Sequence, residues 1–266
     1  MTLKSTPIIC ASVAANPSPL GVALHNAGYA KLGLDYTYVA LGGDTISEAL
    51  EFMKICGGRG LGVSMPHKQS VIQLLDNVTK DVETIGACNT VVFTTNGTTT
   101  GHNTDWIGAR DSIHESGYLP RRAVIIGAGG VARAIAYALR TLDVQVFIRA
   151  RNIDAARSLV ADLELEGALP LDHSAMANID LVVNATPCIE PSHPVSFDEY
   201  PNAQALFDVV FSSLETPLVR EALDRGLVIV PGWRMLLHQA LEQFRLYTEC
   251  EPPIDEMGDV LKRAFG

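Results

Sequence analysis

The sequence predicts an α/β protein of two domains, the second of which is built on a doubly wound parallel sheet. The chain has 266 residues, enough for two domains that each bury a core. Short apolar runs alternate with helical stretches in the first hundred residues. A second such series begins at Arg122, with a glycine-rich turn after its first apolar run. We therefore expect an α/β domain over residues 1–104 and a parallel-sheet domain over residues 105–234, with a cleft between them.

Composition and charge exclude several function classes. The chain is 47% hydrophobic and 19% charged, as is typical of a compact globular protein. Its formal net charge of -10 and the lack of a basic run argue against a nucleic-acid partner. The longest apolar runs, such as residues 181–183, are too short to span a membrane, and no secretory leader opens the chain. We expect a cytoplasmic protein without a membrane partner.

Cysteines and histidines do not indicate a metal site. The five cysteines are odd in number and widely spaced, so we interpret them as reduced thiols. His25 and His67 have no partner at ligand spacing, and we therefore predict no bound metal. The oligomeric state stays open between a monomer and a homodimer.

The elements of the two domains follow from periodicity and turn residues. In the first domain we predict strands at 8–10 and 36–39 and helices at 47–55 and 71–75. The Asn96-Gly97 pair, flanked by β-branched residues, predicts a hairpin. Five strands are predicted in the second domain, at residues 122–126, 144–148, 181–183, 205–210 and 227–230.

The last segment of the chain, residues 235–266, contains no predicted strand. It has helical periodicity at 235–247 and 254–265, after Pro231-Gly232. These helices could pack on either domain, and we expect them to pack back on the first. The boundary between the domains is placed near Asp105.

A glycine-rich turn follows the first strand of the second domain and leads into a helix. Small residues at such a turn let the backbone approach a pyrophosphate, and the amides at the helix N-terminus face its negative charge. This order of strand, turn and helix predicts a Rossmann-type dinucleotide-binding domain. The predicted cofactor-binding residues of the turn are Gly127, Ala128, Gly129, Gly130 and Val131.

The end of the second strand of this domain distinguishes NAD from NADP. An acidic side chain there would hydrogen-bond the ribose 2′-hydroxyl of NAD. The chain instead has Ala150, Arg151 and Asn152, and a guanidinium suits the 2′-phosphate of NADP. The sequence therefore predicts NADP. Arg149 lies on the other side of the strand end. For this residue, a solvated surface position fits the sequence at least as well as a contact with the phosphate.

Several motifs together carry a resemblance to a known family. The motifs lie at residues 62–68, 86–90, 101–105, 127–130, 150–152, 215–218 and 235–239. In order and spacing from one end of the chain to the other, they resemble shikimate dehydrogenase. The resemblance implies reversible hydride transfer between NADP and the carbinol carbon of shikimate, with 3-dehydroshikimate as the ketone, within aromatic amino acid and chorismate biosynthesis.

The resemblance also implies roles for individual side chains. Lys68 corresponds to the proton acceptor and donor, and Asp105 to its carboxylate partner. A lysine accepts a proton near neutral pH only where its surroundings lower its pKa, and a neighbouring carboxylate acts in the opposite direction. From chemistry alone, the pair is therefore interpreted as orienting the reacting hydroxyl and stabilising charge. The remaining family positions are Ser64, Asn89 and Gln239 toward substrate, and Val209 and Gly232 toward the nicotinamide.

Two of these substrate positions have other interpretations. Asn89 is also a plausible turn residue, and Gln239 could face solvent. The paired serines that bind the substrate carboxylate in the family are not intact. With a three-residue insertion Ser18 keeps one hydroxyl and Asn16 replaces the other, whereas an ungapped register places Pro19 and Gly21 there.

Further departures predict an altered grip on the substrate. Gly62 replaces an asparagine, Phe211 replaces a tyrosine, Trp106 replaces a glycine, and Pro187-Cys188 interrupts another motif. This pattern resembles the shikimate dehydrogenase-like branch of the family. A quinate or aminoshikimate-type dehydrogenase, whose ring substituent could use the space at Trp106 or Gly62, is one alternative. A ligand sensor without turnover is another, although the presence of Lys68 and Asp105 argues against it.

Overall fold

A computed structural model describes residues 6–42, 45–172, 176–187, 195–211 and 215–265. Within these ranges the chain forms the predicted α/β architecture and divides into two compact units. The first unit contains the described residues up to Thr104 together with Gln239–Ala264, and the second contains Asp105–His238. The division into units does not identify the ligand of either unit. The assignment of residues 1–104 to substrate and 105–234 to cofactor therefore stays a prediction.

The first unit begins with alternating strands and helices. Ser18 accepts a hydrogen bond from the amide of Leu20, and Pro19 follows it, which together start the first helix. The predicted helix at 71–75 is a short 3₁₀ helix, Ser70–Leu74. The elements are β1 (Ile8–Ala14), α1 (Pro19–Leu32), β2 (Tyr36–Gly42), α2 (Ile46–Ile55), β3 (Gly60–Val63), β4 (Asn77–Val78), α3 (Lys80–Ile85), β5 (Thr90–Phe93) and β6 (Thr99–His102).

These strands form one mixed sheet in the order β2-β1-β3-β5-β6-β4. Strands β2, β1 and β3 are parallel, whereas β5 is antiparallel to both β3 and β6. The antiparallel part arises from the predicted hairpin, since Gly97 adopts a φ of +85° in the turn between β5 and β6. The hairpin places Asn89 and Thr104 at the same end of adjacent strands.

The second unit contains the predicted doubly wound sheet. Its elements are α4 (Asp105–Ser116), β7 (Arg122–Ile126), α5 (Gly130–Thr141), β8 (Gln145–Ala150), α6 (Ile153–Leu163), β9 (Gly167–Pro170), β10 (Leu181–Asn184), β11 (Ala205–Asp208), α7 (Pro217–Asp224), β12 (Val228–Pro231) and α8 (Gly232–Thr248).

All six strands of this sheet are parallel, in the order β12-β11-β10-β7-β8-β9. The five predicted strands are present, and the sixth, β9, was missed. Its sequence, Gly-Ala-Leu-Pro, has little strand signal, and it lies at the edge of the sheet, where a proline is tolerated. The order reverses between β7 and β10, and ligands of such sheets bind beyond the carboxyl ends of the strands at this point.

Two helices complete the chain. Helix α8 begins at Gly232, three residues before the predicted start, and helix α9 spans Ile254–Phe265, as predicted. From Gln239 onward α8 belongs to the first unit, as does α9 up to Ala264. Of the helices in the described ranges, none is both long and apolar enough to cross a membrane.

Candidate active site

The glycine-rich turn lies at the carboxyl end of β7 in the second unit. Gly127 has a φ of +123° and donates its amide to the carbonyl of Arg149 at 2.8 Å. A Cβ there would lie 3.0 Å from the carbonyl oxygen of Ala185, so only glycine fits this backbone. A Cβ at Gly129 would instead meet no atom of the described residues within 4 Å. The backbone at Gly129 is therefore open to a close-fitting ligand.

Helix α5 begins directly after this turn. Gly129 is its N-cap, Gly130 its first residue, and its first turn contains no acidic side chain. Ala128, Gly130 and Val131 are half-buried around the helix start. The exposed amides and the positive end of the helix dipole suit the pyrophosphate of a dinucleotide. These residues fit NADP, which the sequence predicts.

The end of β8 lies beside β7 in the same sheet. Ala150 is buried and Arg151 is exposed. Asn152 caps α6, because its Oδ1 accepts the amide of Ala155 at 3.1 Å. Arg151 therefore follows β8 at the same carboxyl edge of the sheet as the glycine turn, and its contact with a 2′-phosphate stays a prediction.

Arg149 is not a surface residue, so the solvated-surface alternative for it is wrong. Its side chain is only 1% exposed, and its guanidinium donates to the Glu199 carboxylate at 2.6 Å, to the Tyr200 hydroxyl and to the Leu171 carbonyl. These acceptors compensate for the loss of water around the buried charge. Because they lie 22 to 51 residues away along the chain, local sequence patterns do not reveal them.

A buried polar network joins the ends of β10 and β11. Asn184 donates to the Asp208 carboxylate at 2.9 Å, and Thr216 donates to it at 2.6 Å. The amide of Val210 also donates to Asp208. No role for these residues was predicted, although a polar residue at the end of a buried strand, as Asn184 and Asp208 are, is a signal that could have found them. The network fixes the backbone around Val209.

Gly232 and Val209 are in direct contact. A Cβ on Gly232 would lie 2.5 Å from the carbonyl carbon and oxygen of Val209. Backbone atoms cannot move aside as the end of a side chain can, so α8 can begin this close to β11 only with glycine. The two positions predicted for the nicotinamide are therefore brought together.

The first unit contains a buried hydrogen-bonded group around Asn89, which is 3% exposed. Its Oδ1 accepts the backbone amide of Thr104 at 2.7 Å, and its Nδ2 donates to the Thr104 hydroxyl at 2.9 Å. The carboxamide oxygen of Gln239 lies 3.4 Å from both Asn89 Nδ2 and Thr104 Oγ1. Gln239 therefore faces Asn89 rather than solvent, and two predicted substrate residues adjoin each other.

The other predicted residues lie on loops and helix starts. Lys68 is half-buried, and its carbonyl accepts the amide of Cys88 at 2.7 Å. Asp105 is 7% exposed and is the first residue of α4, where a carboxylate interacts favourably with the positive end of the helix dipole. Ser64 and Ser18 are both exposed, and Ser18 caps α1. Neither serine takes part in the hydrogen-bonded group around Asn89.

Comparisons with known proteins assign the chain to a family. A family model, the shikimate dehydrogenase substrate binding domain, matches residues 8–91, and another, the shikimate 5'-dehydrogenase C-terminal domain, matches residues 232–262. The shikimate dehydrogenase (NADP(+)) of Haloarcula marismortui is 37% identical over 90% of this chain and 92% of that protein. The chain belongs to the shikimate dehydrogenase family.

Solved structures of family members agree with this result. The shikimate dehydrogenase of Thermus thermophilus in complex with NADP(H) and shikimate has a TM-score of 0.88 and 30% identity, over 97% of this chain and 99% of that one. The quinate dehydrogenase of Corynebacterium glutamicum in complex with NAD has a TM-score of 0.89 and 30% identity, over the same fractions.

Gly62, where the shikimate dehydrogenase family has asparagine, does not open space in the site. A Cβ at this position would lie 2.8 Å from the hydroxyl of Tyr38. The Tyr38 ring stacks on His25 with 4.2 Å between centroids, and both side chains are buried. The expectation that a ring substituent could use space at Gly62 is therefore wrong, because the Tyr38 hydroxyl already occupies that space.

Two other departures from the family are also packed. Trp106 lies edge-on to Tyr137 of α5, with 5.3 Å between ring centroids, and the Arg110 guanidinium lies 5.1 Å from the Trp106 ring. Phe211 is half-buried. Cys188 lies outside the described residues.

Proposed function

We propose that this protein is an NADP-dependent dehydrogenase that interconverts shikimate and 3-dehydroshikimate, or a close ring analogue. The observation that carries the proposal is that this member of the family has two features. One is an open glycine turn with Arg151 at the end of the next strand, and the other is a separate polar group around Asn89. The first feature suits a phosphorylated dinucleotide, and the second suits a polyhydroxylated ring. The names and bound ligands of the relatives support the same activity.

The cofactor would be held at the carboxyl edge of the second sheet. Amides of the turn and of the α5 N-terminus would bind its pyrophosphate, and Arg151 would bind its 2′-phosphate. Val209 and Gly232 would border the nicotinamide, which supplies hydride acceptance when NADP is bound. The residues proposed for these contacts are Gly127, Ala128, Gly129, Gly130, Val131, Ala150, Arg151, Asn152, Val209 and Gly232.

Lys68 and Asp105 would act on the reacting hydroxyl. Oxidation removes its proton as the hydride leaves, and Lys68 would receive that proton and return it in the reverse direction. The Asp105 carboxylate would orient the hydroxyl and stabilise the charge that develops. Asn89 and Gln239 would hydrogen-bond ring hydroxyls, and Ser18 and Ser64 would contribute further hydroxyls.

Quinate is a second candidate substrate, because the Corynebacterium glutamicum structure with a TM-score of 0.89 is a quinate dehydrogenase in complex with NAD. Arg151 favours NADP and so argues against an NAD-linked quinate enzyme. We further propose a cytoplasmic location and a monomer or homodimer. The thiol state supports this location, since Cys10, Cys56, Cys88 and Cys250, the cysteines in the described part of the chain, form no disulfide.

The test is the initial rate of reduced-cofactor formation with shikimate or quinate, each with NADP or NAD. We expect the highest kcat/KM with shikimate and NADP. Lys68→Ala should lower kcat by at least about 100-fold, because it removes the proton acceptor, while the affinity for NADP stays the same. Arg151→Ala should raise KM for NADP about ten-fold or more and leave KM for NAD unchanged.

Three results would contradict the proposal. Turnover of quinate but not shikimate would make the protein a quinate dehydrogenase. Bound NADP without turnover of either acid would indicate a ligand sensor. Full activity of Lys68→Ala would remove the proposed proton acceptor.

A further inference from the structure

A second carboxamide on α8 lies one turn beyond Gln239. Gln243 is 5% exposed, and its Nε2 donates to the hydroxyl of Thr90 at 2.9 Å and to the carbonyl of Asn89 at 3.3 Å. Thr90 is fully buried. A buried carboxamide costs free energy unless it is hydrogen-bonded, and these two acceptors satisfy both hydrogens of the nitrogen. Gln243 thus belongs to the group around Asn89.

The direction of each hydrogen bond follows from the donors. A carboxamide nitrogen only donates, so Thr90 Oγ1 accepts from Gln243 and its own hydrogen is directed to Asn89 Oδ1, 2.8 Å away. The backbone amide of Thr104 donates to the same oxygen at 2.7 Å. The Thr104 hydroxyl, 3.3 Å from Oδ1, is a third donor, so Oδ1 is held by Thr90 and Thr104 together. A flipped Asn89 would place its NH2 group against both of them.

The orientation of the Asn89 carboxamide also determines the orientation of the Gln239 carboxamide. With Oδ1 held by Thr90 and Thr104, the Nδ2 of Asn89 faces the Thr104 hydroxyl and the Gln239 carboxamide oxygen. A chain of four side chains, beginning at Gln243, thereby fixes which atoms of Asn89 and Gln239 are donors and which are acceptors.

Gln243 also borders the position where the family asparagine is missing. Its Nε2 lies 3.5 Å from where a Cβ of Gly62 would be, beside the Tyr38 hydroxyl at 2.8 Å. An added Cβ at position 62 would therefore press on the Tyr38 hydroxyl but would make only an ordinary van der Waals contact with Gln243. Gln243 thus packs directly beside Gly62.

We propose that Gln243 is a positioning residue for substrate recognition, which acts by holding the Asn89 carboxamide in one orientation through Thr90. The proposal rests on the proposed function in one respect, namely that Asn89 binds a ring hydroxyl of the substrate. Gln243 itself does not touch the substrate in this assignment.

The first test is kinetic and uses Gln243→Met, which keeps the length of the side chain and removes its donors. We expect KM for shikimate to rise about 3- to 10-fold, with kcat and KM for NADP changed by less than about two-fold. Leu241→Met, a buried position on the same helix, is the matched control and should leave KM unchanged. Thr90→Val should reproduce the effect of Gln243→Met, and neither change should raise KM further in an Asn89→Ala background.

The second test does not depend on turnover. In protein labelled with ¹⁵N-asparagine, the Asn89 carboxamide signal is assigned by its loss in Asn89→Ala. Gln243→Met should speed its hydrogen exchange about ten-fold or more, because the held orientation is lost. An unchanged exchange rate would overturn the positioning role, and so would faster exchange with an unchanged KM. A wild-type protein that does not oxidise shikimate would refute the proposed function instead, while the exchange rate would still test Gln243.

Discussion

At the scale of single residues, burial changes the chemistry of His25. Its ring is 1% exposed, stacks on Tyr38, and places Nδ1 2.9 Å from the Gly21 carbonyl. Burial lowers the pKa of His25 to about 4 from an ordinary value of 6.5. The neutral ring is therefore part of the folded core, and protonation at acid pH opposes folding.

This shift predicts a dependence of stability on pH. Because the folded pKa is depressed, the contribution of His25 is complete above pH 6.5 and is lost as pH falls to about 4. Wild-type protein should lose about 3 kcal/mol of unfolding free energy over this window from His25 alone. In urea titrations at several pH values, His25→Phe should lack this part of the slope. His114→Phe, at an exposed histidine, should keep it, and equal slopes in all three proteins would refute the assignment.

Gly62 and Tyr38 form a coupled pair, since a Cβ at Gly62 would lie 2.8 Å from the Tyr38 hydroxyl. Gly62→Ala should lower the unfolding free energy by about 1–3 kcal/mol, and the loss should shrink in a Tyr38→Phe background. Gly21→Ala is the matched control, because an added Cβ there meets nothing within 4 Å in the described part of the chain. Equal losses with and without the Tyr38 hydroxyl would contradict the contact.

At the scale of elements, two helices of the second unit begin at glycines that serve different purposes. The backbone before α5 is open at Gly129, whereas the start of α8 is pressed against Val209 at Gly232. The first arrangement leaves room for a ligand. The second is needed for folding, because the atoms in the way belong to the backbone.

The two glycines should therefore respond in opposite ways to alanine. Gly232→Ala should lower the unfolding free energy by about 3 kcal/mol or more, because backbone has to move. Gly129→Ala should change the Tm by less than about 2 °C but raise KM for NADP about ten-fold or more. Thermal melts and steady-state kinetics on both variants check this. Normal NADP binding by Gly129→Ala would remove the turn from the cofactor site.

At the scale of the whole molecule, the two compact units carry different optical probes. The chain has two tryptophans, Trp106 and Trp233, and both belong to the second unit. Tryptophan fluorescence therefore follows the unit to which we assign the cofactor, while far-UV circular dichroism follows both. This distribution allows the proposed division of labour to be tested in the intact chain.

We predict that NADP selectively stabilises the transition seen by tryptophan. At about 100 times its Kd, NADP should add about 2.7 kcal/mol and raise that melting temperature by roughly 5–10 °C. Shikimate should mainly shift the part of the transition seen by circular dichroism alone. A single transition that both probes follow and both ligands shift equally would show that the two units unfold together and would contradict the selective stabilisation.

Local sequence by itself determined the features that depend on neighbours along the chain. The glycine turn, its following helix, the Asn96-Gly97 hairpin and most strands could be predicted from periodicity and turn residues. The family could be recognised from the order and spacing of its motifs, whereas Arg151 as the cofactor-selecting residue stays a prediction. Edge strand β9 was missed, because four residues containing glycine and proline have no periodic signal.

Only the tertiary structure decided what surrounds the buried polar side chains. The sequence is compatible with Arg149 on the surface, whereas the structure buries it against Glu199 and Leu171. The sequence also suggests open space at Gly62, which the Tyr38 hydroxyl occupies in the structure. Gln243 had no role before Thr90 and Asn89, more than 150 residues away, accepted its hydrogen bonds. Such partners come from different strands and helices, and hydrophobic periodicity places a residue inside without specifying what it touches.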